Sequence, residues 1–474
     1  MAARRRLAAG LVELSTVLGD LVAAFVADGH QLALVGGPVR DLLLGRTAPD
    51  IDLTTDARPE VVRELLKRWG DAWWDVGIAF GTVGARKGEH LVEVTTYRAD
   101  VYRHDSRKPE VSYGDSLEGD LLRRDFAVNA MAVDLRTSAF VDPYGGLDDL
   151  TARVLRTPGP PEVSFADDPL RMLRAARFAA QLGFTVDPAA LTAMTEMADR
   201  IEIVSAERVR DELAKLLLAP DPRAGLGLLV ATGLAERVLP ELPRLALEID
   251  EHHRHKDVYE HTLTVLEQAM ALETDGPDLV LRLAALLHDI GKPKTRRFEP
   301  GGGVSFHHHE VVGAKLARNR LRALRFPKDV VEEVATLVEL HLRFHGYGTG
   351  EWTDAAVRRY VADAGPLLPR LHALTRSDCT TRNKRKAAAL SRSYDDLEAR
   401  IARLREQEEL DAIRPDLDGN AIMQLLGVPP GPVVGRAWKH LKEVRMEQGP
   451  LSREAAEAEL LAWWATQPDA PTNP

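Results

Sequence analysis

The sequence predicts a multidomain protein in which an α/β head is followed by a long all-α body. Three observations carry that prediction. The chain has 474 residues, about three times a domain of ~150, which leaves room for three or four domains. Short β-like runs alternate with helical patterns only as far as about Leu155, and beyond Pro158 apolar residues recur at helical spacing. The change of pattern falls on Thr157-Pro158-Gly159-Pro160-Pro161, a linker by composition. The expected parts are residues 1–157 (head), 158–250 (helical neck), 251–392 (helical body) and 393–474 (helical tail).

Composition narrows the class. Hydrophobic residues at 45% and charged residues at 28% are ordinary globular values and exclude intrinsic disorder. The one cysteine, Cys379, excludes a disulfide framework and cysteine-ligated zinc, and fits a reducing compartment such as the cytoplasm. No run of eighteen apolar residues occurs, so no membrane span is expected. Met1 to Arg6 has the basic flavour of a signal peptide, but Glu13 and Asp20 interrupt the apolar stretch, and an amphipathic first helix is the better reading. The net charge of −10 argues against indiscriminate coating by nucleic acid. Three blocks free of acids run against that average: Lys292–Arg297, Lys315–Lys328 and Arg382–Arg392. In an acidic chain they suggest local anion-binding surface.

In the head, Leu32–Val35, Ile51–Thr55, Gly81–Arg86, His90–Tyr97 and Met131–Leu135 read as strands. The first runs into Gly36-Gly37-Pro38-Val39-Arg40-Asp41 and an apolar helix. Pro38 suits the first turn, the glycines admit close backbone approach, and the free N–H groups of the helix start favour an anion such as a nucleotide phosphate. Arg40 adds a charge-assisted contact. No Walker A loop or dinucleotide fingerprint follows. Next comes Asp50-Ile51-Asp52-Leu53. On a strand, residues two apart share a face, so Asp50 and Asp52 point together and repel unless a cation lies between them. Hard oxygen ligands favour Mg²⁺ together with substrate phosphates. Glu93, on a neighbouring strand, is the candidate third carboxylate for a two-metal site.

Later motifs extend this pattern. They are Arg123-Arg124-Asp125-Phe126-Ala127-Val128-Asn129-Ala130-Met131, then Asp167-Asp168-Pro169-Leu170-Arg171, and then Glu207-Arg208 through Lys215. Together with the GG, R-D and D-x-D set they resemble the class II tRNA nucleotidyltransferases and bacterial poly(A) polymerases, whose head is of DNA-polymerase-β type. The resemblance covers nearly the whole chain and is weakest after about residue 395. It implies that Arg124 contacts phosphate, Asp125 the sugar hydroxyls with Asn129 in support, and Asp168 with Arg171 the base. The reaction implied is addition of CCA to tRNA from CTP and ATP, by attack of the tRNA 3′-hydroxyl on the α-phosphorus with release of pyrophosphate. The resemblance also implies that Arg98–Leu121 includes a loop that helps switch from C to A addition. The family usually has Glu-Asp where this chain has Asp167-Asp168, which leaves the role of Asp167 open.

Base selection has a physical rationale. If Asp168 and Arg171 lie in one helix they share a face. The carboxylate accepts from an exocyclic amine and the guanidinium donates to ring nitrogen and carbonyl oxygen. Cytosine and adenine fit that pair, whereas guanine and uracil present the opposite polarity. Arg174 and Arg177 continue the i+3 stripe, and like charges at that spacing call for an anion, for which a triphosphate or RNA backbone is the candidate.

The body carries a second constellation. Leu281–Ile290 is an apolar segment containing His288-Asp289, with His261 before it and Asp378 after it. This H…HD…D order resembles HD-domain metal phosphohydrolases. His309 and His341 are candidate ligands of a second divalent metal, of unknown identity, and His345 is a weaker one. The resemblance implies cyclic phosphodiesterase, nucleotidase or phosphatase side activity, or else a body that only binds tRNA. Cys379 shows no base–nucleophile arrangement and reads as structural. Two alternatives remain beside CCA addition: a poly(A) polymerase or A-adding-only enzyme, and an HD phosphohydrolase with an RNA-binding head. No membrane and no obligate protein partner are expected.

Overall fold

The computed structural model describes residues 2–47, 50–78, 81–97, 114, 116–246, 258–300, 303–344, 347, 352–379, 384–408 and 414–469. The chain divides into two compact units, Met1–Pro243 and Arg244–Pro474.

The first unit is built on a seven-stranded sheet. Its strands are β1 (Leu32–Val35), β2 (Asp50–Thr55), β3 (Ala72–Trp74), β4 (Thr82–Lys87), β5 (His90–Thr96), β6 (Ala132–Asp134) and β7 (Phe140–Val141). Their order across the sheet is β3-β4-β5-β2-β1-β6-β7. Only β2 and β5 run parallel, and every other neighbouring pair is antiparallel. Five of these strands are the ones the periodicity predicts. The two it misses, β3 and β7, are edge strands of three and two residues with no fully buried position. β1 is buried at all four positions and therefore reads as a continuous apolar run. In β2, Ile51 and Leu53 are buried while Asp50 is exposed.

The first helix, Ala2–Ala27, is long and apolar enough by composition to cross a membrane. Here it lies on the head, burying Leu7, Leu18, Leu21 and Phe25, and Arg6 Nε donates to the carbonyl of Leu43 at 2.8 Å. That is the amphipathic helix the sequence predicts. Beyond the Pro-rich linker, helix Leu170–Leu182 packs against helices Ala206–Leu217 and Pro222–Ala231.

In the second unit, helix Leu279–Leu287 is buried from Val280 to Leu287 and sits at the centre of a bundle with Val258–Met270, Lys328–Leu340 and Leu368–Ser377. A helix apolar on every side belongs in such a core. Arg297–Phe298 pairs antiparallel with Val304–Ser305 in a two-stranded hairpin. The C-terminal helices Gly419–Leu426, Pro432–Gln448 and Arg453–Trp464 close on a small core of their own around Ile422, Leu441 and Leu460.

Candidate active site and metal centre

The parallel pairing of β2 and β5 sets Asp52 opposite Glu93 and Asp50 opposite Leu91, so the three carboxylates share one face of the sheet. Burial pushes the Asp52 carboxyl up; Arg124 opposes that and Asp50 adds to it. Glu93 is raised by desolvation and then by Asp52 and Asp50. Acids that raise one another's pKa are stabilised by a cation placed between them, so the donor set fits a divalent metal.

Next to these acids the chain turns tightly. Gly36 has φ +75°, and a Cβ there would lie 2.7 Å from Arg124 Nη1. Arg124 Nη2 reaches Asp120 at 3.3 Å. Arg40 is buried and forks onto Asp41 with two contacts of 2.9 Å, while its Nη1 donates to Asn129 Oδ1 at 2.7 Å. Asn129 Nδ2 donates in turn to Asp125 Oδ1 at 2.9 Å, and Arg174 Nε to Asp125 Oδ2 at 2.7 Å. Burial alone would raise the Asp125 carboxyl, but Arg174, Asn129 and the Phe126 N–H hold it well below the usual carboxylate range. The side chains of the G-G-x-x-R-D turn and of the RRD segment thus form one network.

The structure corrects two expectations about the base-selecting motif. Asp168 does not share a helix with Arg171: one helix ends at Asp167, the next begins at Leu170, and Asp168 is extended between them at φ −142°, ψ 98°. Pro169 is the cause, since the residue before a proline is driven from the helical region. Asp168 Oδ1 accepts the N–H of Leu170 at 3.1 Å and Oδ2 pairs with Arg208 at 2.8 Å. Arg171 Nη1 donates to Ser164 Oγ at 2.8 Å, and its Nη2 to the carbonyl of Arg123. Second, the chain itself neutralises much of the arginine stripe. Arg174 is held by Asp125, and Arg177 Nε lies 2.7 Å from Glu212 Oε2 in an ion pair without hydrogen-bond geometry. Glu212 was not singled out in the sequence. Its signal is an acid within the apolar stripe Val209, Leu213, Leu216 of its helix. Asp167 lines a cleft of about 450 Å³ together with Ser164 and Arg171. Of the proposed switching loop, residues 98–113 and 115 lie outside the described residues.

In the second unit the predicted ligands converge from different segments. Among the described residues, two groups bring three ligand atoms within 4.8 Å of one another: His261, His288 and Asp378; and Asp289, His309 and His341. Asp50, Asp52 and Glu93 are not gathered that closely. Asp289 connects the two groups, with Oδ2 at 3.2 Å from His288 Nε2 and Oδ1 at 3.2 Å from His309 Nε2. His288, His309 and His341 each direct Nδ1 at a backbone carbonyl, those of Ala285, Phe306 and Val338. With Nδ1 donating, Nε2 is the nitrogen left to meet a cation, and all three buried Nε2 atoms lack hydrogen-bond geometry to any partner. Orphaned imidazole nitrogens beside two carboxylates are a donor set for a divalent metal. Burial lowers His288, but Asp289 and Asp378 outweigh it and lift its pKa to about 10. Lys292, which the sequence did not mark as a site residue, contacts Asp289 at 2.6 Å. His345 lies outside the described residues. Cys379 lines the cleft of about 910 Å³ at this centre.

Three family descriptions match the chain: the poly A polymerase head domain over residues 32–156, the probable RNA and SrmB-binding site of polymerase A over 183–245, and the HD domain over 258–403. Among curated relatives, an A-adding tRNA nucleotidyltransferase of Deinococcus radiodurans is 37% identical over 87% of this chain and 91% of its own length. A CC-adding tRNA nucleotidyltransferase of Thermus thermophilus is 36% identical over 90% and 93%. A CCA-adding enzyme of Anoxybacillus flavithermus is 30% identical over 92% and 93%. Among solved structures, the Bacillus stearothermophilus CCA-adding enzyme in complex with CTP superposes with a TM-score of 0.68 at 25% identity, covering 95% of this chain and 98% of the other.

Proposed function

The chain belongs to the tRNA nucleotidyltransferase and poly(A) polymerase family, and from that premise we propose that it completes tRNA by adding CCA to the 3′ end from CTP and ATP. The observation that carries the reading is the carboxylate face of Asp50, Asp52 and Glu93 beside the Arg40–Asn129–Asp125–Arg174 network. Asp50, Asp52 and Glu93 would hold a divalent metal, for which Mg²⁺ is the best match to all-oxygen ligands and a triphosphate. Such a metal would supply Lewis acidity for the tRNA 3′-hydroxyl and for the leaving oxygens. The Gly36-Gly37 turn and Arg124 hold the phosphates, and Asp125, fixed by Asn129 and Arg174, accepts from the ribose hydroxyls. Asp168, oriented by Arg208, accepts from the exocyclic amine of cytosine or adenine. Arg171, anchored by Ser164, donates to the adjacent ring acceptor, at roughly 1–3 kcal/mol of discrimination per well-made contact. Positioning and electrostatics supply the rate.

The histidine–aspartate centre would hold one or two divalent ions, which would supply phosphohydrolase chemistry beside nucleotide addition. We place the protein in the cytoplasm, where its tRNA substrate is made.

Purified protein with tRNA lacking its 3′ end should add two C residues from CTP alone and then one A when ATP is supplied. C residues without a following A, or A only on a tRNA already ending in CC, would replace this reading with one of the partial activities seen among the relatives. Long A tails would make it a poly(A) polymerase. Asp52→Ala should lower addition by at least about 10²–10³, the scale of losing one electrostatic stabiliser, while leaving tRNA binding in place.

A further inference from the structure

We propose that the hairpin of the second unit is a docking surface for single-stranded RNA, which it leads into the histidine–aspartate cleft. The proposal rests on the reading that this chain works on RNA. Phe298, on the first strand of the hairpin, is 70% exposed, more than any other Phe, Tyr or Trp among the described residues. The Arg296 guanidinium lies 4.7 Å from its ring centroid.

Lys294, Arg296 and Arg297 have no ion-pair partner among the described residues. In the next basic block, by contrast, Arg318 and Arg322 are both satisfied by Glu332. The strand register sets Arg297 opposite Ser305, and Ser305, Phe306, His307 and His308 line the cleft of about 910 Å³. Phe298 is therefore one residue away from the pair that reaches the cleft wall.

An unpaired nucleotide matches these features. Its base offers a π-face to an exposed ring, and its phosphates neutralise unpaired cations. A duplex keeps its bases stacked internally, and an acidic peptide supplies charge without the stacking partner. The occupant that uses both the ring and the charges is single-stranded RNA.

The full-length chain carrying Phe298→Trp provides a local reporter. A short oligoadenylate should quench its added fluorescence, and a duplex of equal length or polyglutamate should not. Phe298→Ala should weaken oligoadenylate binding, read by anisotropy, by about 5- to 150-fold, the equivalent of one lost base stack. Arg297→Glu in the Phe298→Trp background should weaken the quench-detected affinity and reduce the salt slope by about one. Nucleotide addition to tRNA should stay at the wild-type rate in every variant. The proposal is overturned by absent quenching, by equal quenching with duplex or polyglutamate, or by unchanged affinity in Phe298→Ala. Loss of addition in the variants would overturn delivery to the cleft, because the hairpin would then serve the head. A wild-type chain that adds nothing to tRNA would remove the parent reading while the quench still decides this one.

Discussion

Asp125 is the point at which most of the head network meets. One oxygen accepts from Asn129 and from the Phe126 N–H, and the other from Arg174. Its folded pKa is depressed below the unfolded value. The stability it contributes is therefore present above about pH 4, the unfolded carboxyl range, and lost as pH falls through the folded pKa. Asp125→Asn should flatten the fall in stability below pH 4. At pH 7 it should cost roughly 1.5–3 kcal/mol, the value of a hydrogen bond to a charged group, both read from urea melts across pH. It should also reduce discrimination between CTP and dCTP. His288 is the opposite case. A divalent ion held at this centre would compete with the proton that Asp289 and Asp378 stabilise on the His288 ring. Metal affinity of the second unit should therefore rise with pH, with protons released on loading, which titration in weakly buffered solution measures.

Two glycines set how elements approach these sites. Gly36 has positive φ, and Ala there would bring a left-handed penalty of about 1–2 kcal/mol together with a clash against Arg124. Gly36→Ala should lower the Tm and raise KM for both CTP and ATP. Gly291 follows the HD pair, and a Cβ there would lie 2.1 Å from the His309 carbonyl and 2.8 Å from the Gly313 amide. Gly291→Ala should push helix His309–Ala323 outward and reduce bound metal, measured by elemental analysis of the dialysed protein. Addition to tRNA should be unaffected, since the carboxylates of the head lie in the other unit. Five of the seven head strands are legible in the sequence because each carries buried apolar positions, whereas the two edge strands bury no position fully. The condition that Asp168 and Arg171 share one helix is not met, and Pro169 is the sign of the break that the sequence carries.

For the whole molecule, the net charge of −10 does not describe the surface that RNA meets. Part of the acid total is internal, with Asp125, Glu212, Asp289 and Asp378 taken up by arginine or histidine. The cations at Lys294, Arg296 and Arg297 remain available to phosphate. tRNA affinity should fall steeply with salt, by about 0.7–0.9 in log–log slope for each phosphate neutralised. Filter binding between low and physiological salt measures this, and a flat response would contradict tRNA binding through phosphate contacts.

The sequence by itself determined that an α/β head precedes a helical body, the D-x-D face of β2, and the six histidine and aspartate residues that the structure gathers. Strand alternation and residue chemistry are local properties, and spacing alone reveals them. Tertiary structure decided which groups meet. The parallel register of β2 and β5 set Glu93 beside Asp52. The crossing of neck helices put Glu212 against Arg177 and Arg208 against Asp168. Bundle packing split six ligands into two groups joined through Asp289. Each of these contacts spans dozens of residues, and one-dimensional spacing carries no information about the distance between elements that only a closed core brings together.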